Sequence, residues 1–404
     1  MPDSALDRDS ILQRIGARGR VRVIVAGGGT GGHTYPAVAA ARTVRDLAAA
    51  AGAEAEILWV GVPDSLEQRV AGENDIAFTG IKAGKLRRDR NPLKMLNADN
   101  ARDALRVPIS VLVAQGVVRR FRPDAVLCTG GYVCAPIGMA AALRRRPLVI
   151  HEQTTGLGKA NLLLARMADR IALSSDASVD LLPAKVRDRA LVTGNPIRPA
   201  LANGDPAAAV KALEWDGYSA ELPTVYVTGG AQGAAQINEL VHELLPELLR
   251  AANVIHQCGP RSYDQVAEQA AALPAELRGR YLVRAFLGAE LPDVLALADV
   301  VISRSGAGTL AELTTLGKPA VLIPYPHSAG GEQIRNARIL AEADAARALV
   351  GADATVDNLR TALFELLTET DTRAAVSTAA RAMGHPDAAE QLALAVLDLA
   401  GKHS

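Results

Sequence analysis

His33 directly follows Gly27-Gly28-Gly29-Thr30-Gly31-Gly32, where an apolar β-branched run, Val21 to Ala26, gives way to an Ala-rich helical stretch. An imidazole at that turn is of the type that takes a proton from a hydroxyl. The same histidine can equally be a helix-start residue bonded to the backbone. Two further polar groups close strand-like runs: Thr129-Gly130-Gly131-Tyr132, then His151-Glu152-Gln153. Polar residues gathered at several strand ends mark a site, although any one of them, Glu152 included, can instead cap a helix or satisfy a loop.

The second half carries a matching set. Gly229-Gly230-Ala231-Gln232-Gly233-Ala234 follows the run Val225 to Thr228 and opens another helical stretch, so its first N–H groups can meet an anion. Arg304-Ser305-Gly306-Ala307-Gly308-Thr309 leads into a helix carrying Glu312. Ser305 and the glycine backbone can donate to a phosphate, and Glu312 can accept from a pair of ribose hydroxyls; a Ser/Thr cap with a first-turn acid is the plainer alternative. Pro324-Tyr325-Pro326-His327 and Glu332-Gln333-Ile334-Arg335-Asn336-Ala337 place a carboxylate beside an amide, a pairing suited to sugar hydroxyls. Together the two turns imply an enzyme holding a phosphorylated molecule between two α/β domains.

The elements needed to position these residues are legible as alternation. Strand-like runs at Val21 to Ala26, Ile57 to Val60, Ala125 to Cys128, Leu148 to His151, Arg170 to Leu173 and Leu191 to Thr193 are separated by Ala/Leu-rich helical stretches. A second series follows at Val225 to Thr228, Val254 to Gln257, Tyr281 to Ala285, Val300 to Ser303 and Ala320 to Ile323. Such alternation specifies two doubly wound parallel sheets, covered on both faces. Asn195-Pro196-Ile197-Arg198-Pro199 and Asn203-Gly204-Asp205-Pro206 bar a helix and predict a linker over about 196–206. The expected domains are 1–196, joined by a C-terminal helix over about 387–404, and 206–386. Ligands of open α/β sheets bind beyond the carboxyl ends of the strands, so the expected site is the interdomain cleft.

Bulk properties narrow the class. The chain has 404 residues, with 44 Lys+Arg and 44 Asp+Glu, which removes any whole-molecule case for nucleic-acid binding. Cys128, Cys134 and Cys258 lack metal-site or disulfide spacing and read as reduced cytosolic thiols. Met1 to Arg20 lacks the apolar core of an export signal. The uncharged run Ala125 to Leu143 contains Gly130, Gly131, Pro136 and Gly138, so it reads as strand, loop and buried helix rather than a membrane span. Gly27, Gly29 and Gly32 fit a dinucleotide fingerprint, but Ile57-Leu58-Trp59-Val60-Gly61 ends without the ribose-binding acid, which counts against a nicotinamide enzyme.

At GGGTGGH, TGGY, HEQ, GLGKAN, GNPIR, TGGAQGA, RSGAGTLAEL and EQIRNA, in that order from about Val21 onward, the chain resembles the MurG-type N-acetylglucosaminyltransferases of bacterial cell-wall synthesis. The resemblance implies the two-domain GT-B fold and inverting transfer of GlcNAc from UDP-GlcNAc. The acceptor it implies is the muramyl 4-hydroxyl of undecaprenyl-diphosphate-linked MurNAc-pentapeptide, so that lipid I becomes lipid II, a step serving cell shape and division. Carried over residue by residue, Arg198 and Ser305 hold the diphosphate beside the Ala231 to Gln232 backbone. Glu312 binds ribose, Phe286 and Leu287 border uracil, and Gln333 contacts GlcNAc. Thr30, Gly31, Gly32, Tyr132 and Asn161 serve the acceptor, with His33 and Glu152 as the catalytic pair and His33 the candidate base.

An inverting displacement needs deprotonation of the acceptor and stabilisation of departing UDP, which Arg198 and a helix N-terminus can supply, so no metal or cofactor is expected. The chain departs from the pattern at Ala231, where a serine is common, at Glu332 in place of a glutamine, and at Thr154-Thr155 in place of Asn-Gly. Between Ile81 and Leu96, Lys82, Lys85, Arg87, Arg88, Arg90 and Lys94 mingle with Ile81, Leu86, Leu93, Met95 and Leu96. Such a patch suits an anionic membrane surface and equally a solvated loop. The expectation is a cytoplasmic enzyme peripheral on the inner face of the cell membrane. Its alternatives are the same chemistry on another acceptor such as a natural product, or a non-catalytic nucleotide-sugar-binding module.

Overall fold

In the computed structural model residues 6–82 and 98–403 are described. The chain divides into two compact units, Met1–Ile197 with Pro386–Ser404, and Arg198–His385.

The first unit is built on β1 (Arg20–Ala26), β2 (Glu54–Gly61), β3 (Ala77–Gly80), β4 (Ala125–Cys128), β5 (Leu148–Glu152), β6 (Arg170–Leu173) and β7 (Ala190–Val192). Their order is β3-β2-β1-β4-β5-β6-β7, all parallel, with Val23 of β1 opposite Ile57 of β2 and Ala125 of β4. Both faces of this sheet are covered, so β4 and β5 are buried along their whole length; β4 reads as an unbroken apolar run, and β5 as one as far as Ile150. The period of two splits β1 between two cores: Val21, Val23 and Val25 pack on one face, Ile24 and Ala26 on the other.

The helix Ala388–Lys402 contributes Leu392, Val396 and Leu397 to the first of those cores, with Ile11 and Ile15 of the helix Arg8–Arg18. Its Asp398 is 3% exposed and accepts from Arg14 (2.7 Å), Arg170 (2.7 Å) and Lys402 (2.8 Å). The last helix in sequence is thereby fastened to both the first helix and β6.

The second unit carries β8 (Thr224–Thr228), β9 (Asn253–Gln257), β10 (Tyr281–Arg284), β11 (Val300–Ser303), β12 (Ala320–Leu322) and β13 (Arg347–Ala348), parallel in the order β10-β9-β8-β11-β12-β13. The helix Ala235–Ala251 buries Ile237, Val241, Leu244, Leu245 and Leu248 on one stripe against that sheet, at helical spacing.

Two sequence expectations change. Edge strands β3 and β13 add to the strands read from the sequence. The proposed linker is folded from Arg198 onward: residues 199–203 form a 3-10 turn and Pro206–Ala212 a helix. Asp205 N donates to Asp293 at 2.8 Å, and a Cβ on Gly204 would lie 2.1 Å from Pro292 O. Prolines bar a helix without barring packing, so the chain passes between units at Ile197–Arg198. Most of the basic stretch between Ile81 and Leu96 lies outside the described residues. Among the described residues no helix is long and apolar enough to cross a membrane. The run Ala125 to Leu143 forms β4, a turn and the helix Cys134–Leu143.

In each sheet the strand order reverses beside the first strand, between β1 and β4 and between β8 and β11. Loops diverge there to opposite faces and leave a crevice at the carboxyl ends.

Candidate active site

In the first unit, residues 27–32 leave β1 and residues 129–132 leave its neighbour β4, and the two loops meet backbone to backbone. Gly28 N donates to Gly130 O at 3.3 Å. A Cβ on Gly131, whose φ is +89°, would lie 2.3 Å from Gly28 O. Trp59 Nε1 donates to Gly27 O at 3.2 Å. Glu67, 1% exposed, accepts from Gly29 N (3.4 Å) and Val62 N (3.3 Å). Sequence reasoning missed Glu67 because nothing in its own neighbourhood announces a partner 38 residues away.

Thr30 is exposed at the N-cap of the helix Gly31–Ala50 and makes no side-chain capping bond. Gly31 and Gly32 form the first turn beside it. Tyr132 is half-buried, its ring edge 3.8 Å from where a Cβ on Gly29 would stand. His33, half-buried in the same turn, has Nδ1 3.1 Å from Thr129 O and 2.9 Å from Gln153 Oε1. A Cβ on Gly130 would sit 2.6 Å from that nitrogen, so the TGGY glycines make room for the ring.

Glu152 is buried, and its two oxygens take four hydrogen bonds. Thr154 N (3.2 Å) and Thr154 Oγ1 (2.9 Å) reach Oε1, and Gly158 N (2.8 Å) and Asn161 Nδ2 (3.0 Å) reach Oε2. With its acceptor capacity engaged this way, the carboxylate organises residues 154–161. Thr154, one of the departures from the family pattern, is thus part of that organisation. Asn161 also donates to His151 O at 3.0 Å, while its Oδ1 is buried with no hydrogen-bond partner among the described residues, which leaves an acceptor for a ligand's donor.

In the second unit, the turn after β8 and the loops after β9, β10, β11 and β12 form a comparable cluster. Ala231 and Gln232 are exposed, and their turn is shaped by Gly233, whose φ is +73° and whose added Cβ would lie 2.0 Å from Cys258 O. Gln257, buried at the end of β9, was not foreseen. Its Nε2 donates to Gly230 O (3.0 Å) and Thr228 Oγ1 (3.2 Å), and its Oε1 accepts from Leu287 N (2.9 Å). One amide therefore ties the glycine turn to the segment expected at uracil. There Phe286 is 57% exposed while Leu287 is 2% exposed, so the Phe286 ring is the surface a base would meet and the Leu287 side chain belongs to the core.

Arg198 Nη2 lies 3.4 Å from Glu312 Oε1, bringing together two residues 114 positions apart that sequence reading had assigned to one nucleotide. Both are partly accessible. Burial pushes the Glu312 carboxyl above the usual carboxylate range, and the Arg198 charge offsets part of that rise. Ser305 is fully buried and gives its hydroxyl proton to Gln333 O at 2.7 Å. Gly306 starts the helix Ala307–Leu316 without a side-chain cap.

Gln333 Oε1 accepts from Tyr325 N (2.8 Å), and Gln333 N donates to Ser328 Oγ (3.1 Å). Its side-chain NH2 makes no hydrogen bond among the described residues and is the group left to meet a sugar oxygen. Arg304 binds Gln236 Oε1, Ile323 O and Pro324 O at 2.9–3.1 Å, joining the loops after β11 and β12. No cluster of three or more His, Cys, Asp or Glu suited to a metal occurs among the described residues.

Residues 23–173 match the glycosyltransferase family 28 N-terminal domain, and residues 224–392 match the glycosyltransferase family 28 C-terminal domain. A UDP-N-acetylglucosamine--N-acetylmuramyl-(pentapeptide) pyrophosphoryl-undecaprenol N-acetylglucosamine transferase of Salinibacter ruber is 38% identical over 94% of this chain and 97% of its own length. The corresponding transferase 1 of Bacillus cereus is 34% identical over 92% of this chain and 97% of its own. Among solved structures, Acinetobacter baumannii MurG superposes with a TM-score of 0.70 at 26% identity, covering 94% of this chain and 99% of that one.

Proposed function

The chain belongs to glycosyltransferase family 28, and from that membership we propose how its residues divide the work. It transfers N-acetylglucosamine from UDP-N-acetylglucosamine to the muramyl 4-hydroxyl of undecaprenyl-diphosphate-linked MurNAc-pentapeptide, converting lipid I to lipid II in peptidoglycan synthesis. Its two doubly wound units are those of the GT-B fold.

The acceptor falls to the first unit and the nucleotide sugar to the second. His33 Nε2 takes the proton of the 4-hydroxyl as that oxygen bonds to C1 of GlcNAc. The C1–O bond to UDP breaks with its electron pair going to the departing diphosphate, and the anomeric centre inverts. Arg198 and the N-terminus of the helix Ala307–Leu316 take up the charge that develops on UDP. Glu312 receives the ribose hydroxyls, for which it exchanges its ion pair with Arg198. Phe286 presents a face to uracil, and Gln333 an N–H to the sugar. Thr30, Tyr132 and Asn161 meet the acceptor, and Glu152 holds the loop that carries Asn161.

The observation that carries this assignment is the meeting of Arg198 and Glu312 at 3.4 Å, with Glu312 on the helix Ala307–Leu316. The decisive assay follows UDP release with lipid I against soluble glycoside acceptors. Turnover on lipid I is expected, and folded protein that turns over only the soluble acceptor overturns the acceptor assignment. Binding of UDP-GlcNAc with no transfer at all overturns the enzyme reading. His33→Ala is expected to lower kcat by about 10²- to 10⁴-fold with the KM for UDP-GlcNAc little changed. Because arginine and helix supply the positive charge, EDTA is expected to leave the rate unchanged, and a rate restored only by a divalent ion speaks against this account.

The reading further places the enzyme in the cytoplasm, peripheral on the inner face of the cell membrane. Support comes from the helix Ala98–Phe121, where Ile109, Leu112 and Val113 are 60%, 66% and 48% exposed. Beyond them, Arg119, Arg122, Arg144 and Arg146 surround a cavity of about 380 Å³ next to exposed Leu143. Apolar and cationic groups in that arrangement match an anionic bilayer surface. Sedimentation with anionic vesicles, but not zwitterionic ones, is the expected result, and equal partition to both counts against the charge part of the reading.

A further inference from the structure

We propose that Gln153 and His151 are positioning residues that fix the tautomer of His33, holding its proton on Nδ1 and its lone pair on Nε2. The proposal rests on the reading of His33 as the base, and it is carried by a directed chain of hydrogen bonds that begins at a backbone carbonyl. His151 is fully buried, with Nε2 3.0 Å from Gly194 O. A carbonyl only accepts, so the His151 proton sits on Nε2 and its Nδ1 is an acceptor. Burial lowers the His151 pKa to about 4, so the ring keeps that single proton.

Gln153 Nε2 lies 2.9 Å from His151 Nδ1 and 2.6 Å from Thr129 O. Two acceptors on one side fix the amide with its nitrogen toward them, and its Oε1 is then turned to His33 Nδ1 at 2.9 Å. Thr129 O lies 3.1 Å from the same nitrogen. Facing two acceptors, His33 Nδ1 must be the protonated nitrogen, which leaves Nε2 free to accept a proton from a hydroxyl. The reverse tautomer would set a lone pair against two oxygens and present an N–H to the acceptor hydroxyl, where it can remove nothing.

The HEQ motif therefore serves the reaction through His33. Its glutamine and histidine lie 120 and 118 positions from the ring they orient, and both are buried.

The test is ¹⁵N chemical shifts of the histidine rings in the intact protein, with His33 assigned by its loss in His33→Gln. Neutral His33 is expected as the Nδ1–H form. Gln153→Met, which keeps the length and removes the amide, is expected to raise the Nε2–H population. It should also lower kcat by roughly tenfold or more with little change in KM for UDP-GlcNAc. A predominantly Nε2–H ring in the parent protein overturns the proposal, as does a Gln153→Met protein with tautomer and kcat both unchanged. The shift measurement on the parent protein needs no folded Gln153 variant and no activity. Should His33→Gln retain full kcat, the base assignment fails while the tautomer result still stands or falls by itself.

Discussion

At Glu312 the protein holds a carboxyl that the fold would rather keep protonated. Its pKa is raised by burial in spite of Arg198, so the folded chain binds that proton more tightly than the unfolded chain does. Stability contributed by this site is therefore highest at and below the ordinary carboxyl range and falls as pH rises through the raised value. Glu312→Gln is expected to melt above the parent protein at pH 8, with the gap closing toward pH 4, and to bind UDP-GlcNAc more weakly. Melting temperatures across that range check it; a parent protein that gains on the variant as pH rises contradicts it. Gln257 gives a second test. Gln257→Leu strands Leu287 N and Gly230 O without their partner, a loss of about 1–3 kcal/mol measurable by urea unfolding, and it is expected to raise the KM for UDP-GlcNAc more than it lowers kcat.

The loops at the two strand-order reversals depend on backbone shapes that a side chain forbids. Gly131→Ala places a methyl carbon 2.3 Å from Gly28 O at a φ of +89°, and a loss of about 2–4 kcal/mol is expected. Gly72 in the helix Leu66–Glu73 has open space around it, and Gly72→Ala is expected to stabilise by about 0.5–1 kcal/mol. Urea midpoints for the two variants should therefore move in opposite directions. The central strands were legible in the sequence because burial on both faces demands continuous apolar residues, as in Ala125 to Cys128. The edges were not: Arg347–Ala348 is two half-buried residues, too short for any period to show. Glycine turns and strand-end motifs were likewise visible, because left-handed backbone and polar chemistry leave a mark on composition. Glu67, Gln257 and Arg304 stayed hidden, since each acts on a segment far away in sequence. Exposure was also hidden: a serine before a glycine helix start looks the same whether its hydroxyl meets a ligand or, as at Ser305, a neighbouring carbonyl.

In the whole molecule, the first unit is closed by residues drawn from both ends of the chain. Asp398 gathers Arg14, Arg170 and Lys402 while itself 3% exposed. Asp398→Ala leaves those cations without their shared anion, and because the three are partly accessible the expected cost is about 2–4 kcal/mol rather than that of a fully buried charge. Calorimetry is expected to show the loss in the transition of the first unit, with the second unit's transition unmoved; a loss confined to the second would refute it. The position of the helix Ala388–Lys402 also has a bearing on how the protein comes into being. On the ribosome, everything the second unit needs, Arg198 to His385, is made before the closing helix of the first unit. The half begun first is therefore completed after the other: Leu392, Val396 and Leu397 can join Ile11, Ile15 and Val23 in its core only once the whole of Arg198 to His385 has been made.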